Sequence, residues 1–311
     1  MSDGPVRKYS FVQLDVFSSR PLEGNPLAVF TDGSGLTDDE MQALAREMNL
    51  SETTFVFPRS PEVERERGVR VRIFTTKEEL PFAGHPTLGT AVVLREKERA
   101  SGQPRDRADV AAQSVSLELG VGKIDVTFLE DSEGGTFGEM RQPDPEFGAL
   151  HNPVDVAALA GLQASDIIGD LPIQTVSTGV PFAVVPLKTL QAVRAVRLDW
   201  EKVRAYSQQH DGVFSFYFVS RETSDRSAGL HARMIFSNGE DPATGSAAGC
   251  AAAWMVRYGV AQPEERTLIE QGIEIRRPSR IFVRAGRDGE RVTNVRVGGY
   301  AAEVLRGEVR L

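Results

Sequence analysis

The sequence carries one cysteine, Cys250, in 311 residues. That excludes an intrachain disulfide and any chemistry that needs two opposed thiols, and it fits a cytoplasmic protein. Histidine is scarce as well. His85, His151, His210 and His231 lie far apart, in no HExxH or CxxC pattern, so no protein-built metal site is expected. No apolar run approaches the ~20 residues of a membrane span, and the opening "MSDGPVRKYSFVQLDVF" lacks the long apolar stretch of a signal peptide. Positive charge is in deficit: the formal net charge is −8. Nucleic acid and anionic membrane are therefore not expected partners, whereas a small anionic ligand needs only a local positive site. Neither βαβ alternation nor a GxGxxG fingerprint points to a dinucleotide cofactor.

What is present is an ordinary globular composition, 41% apolar and 26% charged, in a chain long enough for two domains. The chain also repeats itself. "GNPLAVF" at 24–30 returns as "GVPFAVV" at 179–185, "IFT" at 73–75 as "IFS" at 235–237, and "HPTLGTA" from His85 as "DPATGSA" from Asp241. Three fragments recur in the same order, about half a chain apart, as a tandem duplication would leave them. Each half has the same grammar: a strand after Gly-x-Pro, a helix, further strands, and then a helix that is apolar nearly all round and should be buried. In "LTDDEMQALAREM", Thr37 and Glu40 read as a capping box, and Met41, Leu44, Ala45 and Met48 share one face. Turns are expected at Gly120–Gly122 and around Asp288-Gly289. The polar stretch 99–114 reads as a crossing between the halves. The fold class is therefore α+β: two similar domains related by a pseudo-twofold, each a curved, mostly antiparallel sheet around one buried helix.

The candidate chemistry lies at the two helix starts. Proline is pre-organised for a first helical turn, so helices are expected near Pro86 and Pro242. Their unpaired N–H groups and dipoles attract anions. His85 and Asp241 stand just ahead of those prolines. A pseudo-twofold relation would turn both starts toward one ligand, together with Ser246 and the backbone at Gly84 and Gly245, where the missing Cβ permits close approach. Plainer readings compete. Asp241 before a proline looks like a helix N-cap, Ser246 suits helix packing, and Cys250 suits an inert core position. Glu52, in the link "MNLSETTFVF", is either an exposed loop residue or a half-buried carboxyl whose pKa burial would raise, fitting it to take and return a proton.

"LDVFSSRPLEGNPLAVF", "REMNLSETTFVF", "ELPFAGHPTLGTAV", "EDPATGSAAG", "QGIEIRRPS" and "VGGYAAEVLRGEVRL" together resemble the PhzF-like phenazine-biosynthesis isomerase family, of the diaminopimelate-epimerase-like fold. The resemblance runs from about residue 9 to the C-terminus. It implies a barrel-like sheet around a central helix in each half, a site between the halves and a homodimer. It also implies an N-terminal domain over 1–112, rejoined by a closing strand at 297–311, and a C-terminal domain over 113–296. The best-known family member converts trans-2,3-dihydro-3-hydroxyanthranilate to a reactive ketone without cofactor or metal. By the same resemblance Glu52 is the acid/base, and His85, Asp241 and Ser246 bind the substrate and position its migrating proton. One carboxylate suffices when the proton leaves and returns on the same face. The segment "FSNGE" ahead of Asp241 is shorter than is usual in the family, which points to a difference in substrate choice. Two other functions are carried alongside: an epimerase or isomerase of another small amino or hydroxy acid, and a non-catalytic binding protein on the same fold.

Overall fold

The computed structural model describes residues 6–100, 114–130, 136–210, 215–237 and 239–311. Most of the polar stretch 99–114 lies outside them. The chain divides into two compact units, Met1–Met140 with Gly299–Leu311, and Arg141–Gly298.

In the first unit the strand Lys8–Val16 pairs antiparallel with Asn25–Phe30 on one side and with the closing strand Ala301–Arg310 on the other. Asn25–Phe30 runs parallel to Glu52–Phe57, which is antiparallel to Val69–Phe74. Val69–Phe74 pairs antiparallel with the short Glu79–Leu80 and parallel with Ser114–Leu119. Gly122–Glu130 and Thr136–Arg141 continue the sheet by antiparallel hairpins. Because Ser114–Leu119 is laddered to Val69–Phe74, the first unit runs past residue 112.

The second unit repeats this order and these directions. Glu146–His151, Ile173–Ser177 and Pro181–Leu187 are successive antiparallel neighbours. Pro181–Leu187 runs parallel to Ser215–Ser220, which is antiparallel to Leu230–Phe236. Leu230–Phe236 carries the short Gly239–Asp241 and runs parallel to Thr267–Gln271. Ser279–Asp288 and Arg291–Gly299 follow as antiparallel neighbours. Among the described residues each unit thus has two parallel pairs, and each parallel pair needs a long crossover, usually helical. One crossover is the central helix: Gly84–Ala100 in the first unit, Gly245–Arg257 in the second. The α+β class and the duplication are both present.

The ladders also set the register of the repeat, and it differs from the sequence match. Asn25–Phe30 and Pro181–Leu187 align through "GNPLAVF" and "GVPFAVV". From there the strand partners place Ile73 with Met234 and Leu80 with Asp241, since Ile73 pairs with Leu80 and Met234 with Asp241. Both central helices then begin on a matching glycine, Gly84 and Gly245. The true repeat is "ELPFAG" against "EDPATG", so His85 corresponds to Ser246 rather than to Asp241. Pro-x-x-Gly-[Ser/Thr]-Ala occurs in both halves at positions that the hydrogen bonds do not equate. A second marker agrees. Arg72 forks onto Glu79 (Nε–Oε1 2.7 Å), and Arg233 forks onto Glu240 (Nε–Oε1 2.9 Å). The same bidentate clamp closes the hairpin before each helix.

Packing follows from the local sequence. Thr37 and Glu40 form the capping box, and the helix Asp38–Met48 buries Met41, Leu44 and Ala45 against Phe30, Phe55 and Phe74. Phe30 and Phe55 stack at 4.9 Å, and Phe74 meets Phe55 edge-on at 5.5 Å. Asn49 ends this helix in the left-handed conformation, so the chain turns at once into the strand that Glu52 opens. Residues Gly84–Val93 of the first central helix are all buried. In the second, only Ser246 and Arg257 are not. Among the described residues no helix is long and apolar enough to cross a membrane.

Close packing makes one glycine decisive. A Cβ on Gly89 would lie 2.6 Å from Leu27 Cδ2 and 2.8 Å from Val16 Cγ2, and both of those side chains are fully buried. Gly89→Ala should therefore cost about 1–3 kcal/mol in urea unfolding, although alanine is the better helix former. A more stable variant would show that the helix has room to shift.

Candidate functional site

In the first unit three neighbouring elements bring Asn25, Glu52 and His85 together. Asn25 opens one strand, Glu52 opens the strand parallel to it, and His85 is the second residue of the central helix. β-branched and aromatic residues in "ETTFVF" favour the strand, whose first residue is half-buried while the next four are buried. His85 Nε2 lies 3.4 Å from Glu52 Oε2. On the other side of the ring, Asn25 Nδ2 is 3.4 Å from His85 Nδ1. An amide nitrogen can only donate. Nδ1 is therefore the acceptor, and the ring proton sits on Nε2, facing Glu52. Burial drives the His85 pKa down to about 3, and a helix N-terminus also disfavours an imidazolium. His85 is a neutral ring that offers one N–H. Gly84 lies beside it, buried as the first helical residue.

The second unit holds Asp241, Gly245 and Ser246. Asp241 is not a helix cap: it ends the strand Gly239–Asp241, paired with Met234, and the helix starts at Gly245 with Thr244 in the N-cap position. The Pro242-Ala243 step separates strand from helix, which moves the cap three residues downstream. The link is a hydrogen bond, with the Thr244 hydroxyl donating to Asp241 Oδ2 at 2.7 Å. Gly245 is buried and its carbonyl accepts from Gln142 Nε2 at 3.1 Å, while Gln142 Oε1 accepts from the Thr178 hydroxyl at 2.7 Å. Ser246 is half-buried on the first turn. Cys250 is a core residue. Its thiol is held by Thr178 and Val180, and burial pushes its pKa up to about 11. Ahead of Asp241 the "FSNGE" segment is a hairpin in which Phe236 pairs with Gly239. Its Asn238 lies outside the described residues.

Sequence reasoning missed Asn25, Gln142 and Gln271. Asn25 had a signal: the repeat has Val180 at that place, 44% exposed, whereas Asn25 is fully buried. A polar residue that replaces an apolar one and is buried there has a task. The other histidines lie elsewhere. His151 bonds Tyr206 and Thr175, and burial with the nearby His210 lowers it to about 4. Burial would lower His231 as well, but the flanking Glu270 and Glu274 carboxylates outweigh burial and raise it.

The model of the family described as "Phenazine biosynthesis-like protein" matches residues 14–307. The trans-2,3-dihydro-3-hydroxyanthranilate isomerase of Pseudomonas aeruginosa is 35% identical over 97% of this chain and 100% of its own. Among solved structures, a phenazine biosynthesis protein of the PhzF family from Bacillus anthracis superposes with a TM-score of 0.83 at 28% identity, covering 97% of this chain and 99% of the other. A predicted epimerase from Pseudomonas aeruginosa does so with a TM-score of 0.79 at 35% identity, over 97% and 99%.

The low pKa of His85 makes stability depend on pH with a definite sign. The unfolded chain takes up a proton near pH 6.5, while folded His85 does so only near 3. Its contribution is therefore constant above about pH 6.5 and stability falls on acidification, by about 2 kcal/mol at pH 5. Replacing His85 by Gln removes that titration. The loss of unfolding free energy between pH 7.5 and pH 5 should be about 2 kcal/mol smaller in His85→Gln than in the wild type. An identical loss in both proteins would mean that folded His85 accepts a proton as readily as the unfolded chain does.

Proposed function

Because the chain belongs to the phenazine biosynthesis-like protein family, we propose that it is a cofactor-independent isomerase. In this reading Glu52 shifts a proton on a small cyclic amino or hydroxy acid such as trans-2,3-dihydro-3-hydroxyanthranilate. The observation that carries the reading is the half-buried Glu52 carboxyl, 3.4 Å from a neutral His85.

Glu52 takes the proton from the ring carbon that bears the hydroxyl. The C–H bonding pair spreads into the conjugated system. The protonated carboxyl then returns the proton to another ring carbon on the same face, so a C–H bond breaks and a C–H bond forms. Protons balance, and neither oxidant nor reductant is consumed. Neutral His85 serves this cycle better than a charged ring would. Its Nε2 edge faces Glu52 Oε2 at 3.4 Å and, being neutral, does not hold the carboxylate in an ion pair that would resist protonation. Asp241, anchored through Oδ2 by Thr244, is assigned to the substrate amino group. Ser246 and the backbone at the helix starts Gly84 and Gly245 are assigned to the substrate carboxylate, which the N-terminal dipoles favour. A single buried free cysteine suits a reducing cytoplasm, and the family resemblance suggests a homodimer.

A second reading, epimerisation of another small amino or hydroxy acid through Glu52 with Asp241 or His85 opposite, is favoured by the similarity to the predicted epimerase. Turnover in D₂O separates the two. Inversion at a labelled carbon indicates epimerisation, whereas a double-bond shift with the proton returned on one face indicates the isomerase.

Assay of the wild type and Glu52→Gln on trans-2,3-dihydro-3-hydroxyanthranilate tests the leading reading. A drop in kcat of about 10²–10⁴-fold is expected, the usual worth of a general acid–base group. Activity within a few-fold of wild type would remove Glu52 from the mechanism. An inactive wild type would remove this substrate.

A further inference from the structure

One buried amide in the second unit gathers the strand that ends at Asp241, the start of the central helix and the sheet behind them. Gln271 is the last residue of the strand Thr267–Gln271 and is fully buried. Its Nε2 donates to the Asp241 backbone carbonyl at 2.8 Å and to Thr244 Oγ1 at 2.9 Å. Its Oε1 accepts from the Tyr217 hydroxyl at 3.0 Å and from the Thr244 backbone N–H at 3.2 Å. Two donors and two lone pairs are then all used. The orientation of the amide is forced. Turned over, it would set its oxygen against the Asp241 carbonyl and its NH₂ against the Thr244 N–H.

The Thr244 hydroxyl, having accepted from Gln271, donates to Asp241 Oδ2 at 2.7 Å. The donors therefore run in one direction: Tyr217 to Gln271, Gln271 to Thr244, Thr244 to the Asp241 carboxylate. Hydrogen bonds in series polarise one another, more so where water is excluded. Tyr217 is fully buried and Thr244 nearly so. Tyr217 keeps its proton, because burial raises its pKa well above the ordinary value. The next residue holds the arrangement together. Gly272 has φ +77°, and a Cβ there would meet Arg277 O at 2.3 Å and Pro242 O at 2.6 Å. The strand end thus lies directly on the backbone that follows Asp241.

We infer that Gln271 is a positioning residue. With Tyr217 behind it, Gln271 fixes both the backbone and the carboxylate of Asp241, and so sets how Asp241 meets the amino group of the substrate. The inference rests on the reading of Asp241 as the partner of that amino group. It adds two residues that contact no substrate but determine its affinity.

The test is a set of three variants assayed on trans-2,3-dihydro-3-hydroxyanthranilate, with KM and kcat read separately. Loss of an interaction made equally in the ground state and the transition state raises KM and leaves kcat. Partial unfolding lowers apparent kcat and leaves KM. Gln271→Met should raise KM about tenfold, the size of one hydrogen bond to a charged group, with kcat within about threefold. Tyr217→Phe, which removes a single hydroxyl, should raise KM about threefold, and it carries the test if Gln271→Met fails to fold. Asp241→Asn is the reference and should raise KM at least as much as Gln271→Met. If Asp241→Asn raises KM while folded Gln271→Met or Tyr217→Phe leaves it unchanged, or lowers kcat alone, the positioning role is overturned and the reading of Asp241 stands. If Asp241→Asn leaves KM unchanged, or the wild type is inactive, that reading falls and the inference with it.

Discussion

A helix that starts inside a protein needs partners for its first N–H groups, and that constraint gathers the residues around the start of the central helix in the second unit. A backbone N–H buried without a partner costs as much as a lost hydrogen bond or more. In the second unit the Thr244 N–H, at the N-cap position, is taken by the Gln271 side chain. The Gly245 carbonyl is held by Gln142. Gln142 reaches the helix only because position 249 is glycine: a Cβ there would lie 1.9 Å from Gln142 Oε1. Gly249 in "GEDPATGSAAGC" therefore has a mechanical cause: it clears space for the Gln142 amide beside the buried helix start.

The duplicated frame explains how one scaffold carries two different sets of side chains at its helix starts. The Arg72–Glu79 and Arg233–Glu240 forks fix equivalent hairpins, and equivalent glycines open equivalent helices. Between those fixed points the residues are free to differ. Leu80 stands where the other half has Asp241, and His85 where it has Ser246. The Arg–Glu pairs are the scaffold. The positions between glutamate and glycine, and the one after the glycine, hold the side chains that differ in chemistry: Leu80 against Asp241, and His85 against Ser246. A duplication keeps its clamps and glycines because the backbone path needs them, while the intervening side chains can be respecialised at little cost to folding.

Much of this was legible in the sequence because it depends on local rules. The capping box at Thr37, the hairpin turns at Gly120 and Asp288, and two helices apolar on every side follow from spacing and residue type. Family-specific motifs raised the prior on Glu52, His85, Asp241 and Ser246. Strand register was not legible, because a ladder joins residues distant in sequence and short motif matches do not report it. That is why "HPTLGTA" and "DPATGSA" looked equivalent when the hydrogen bonds equate "ELPFAG" with "EDPATG". Asn25, Gln142 and Gln271 were missed for a related reason. Each is a buried amide whose value lies in partners on other strands and helices, and a lone Asn or Gln in a sequence carries no mark of that. The plainer reading of Asp241 as a cap fails because its pairing with Met234 of the strand Leu230–Phe236 holds it three residues short of the helix N-cap at Thr244.

The electrostatics around His85 in the first unit differ from those of a structural histidine–carboxylate ion pair. A histidine beside a glutamate ordinarily gains charge from that neighbour, as His231 does between Glu270 and Glu274. Both rings are buried, and both have carboxylate oxygens nearby. The difference is geometric. His231 is bonded through both nitrogens, at 2.7 and 3.1 Å, to carboxylates, whereas His85 has an amide on one side and a single carboxylate at 3.4 Å on the other. Two close carboxylates overcome desolvation; one at a longer distance does not, so His85 stays neutral. A permanent imidazolium would hold Glu52 ionised and oppose its taking a proton. Asn25, by occupying Nδ1, denies His85 the second acceptor that would charge it. In the proposed reading, a neutral His85 spares Glu52 a permanent ion pair, as a base that must later act as an acid requires.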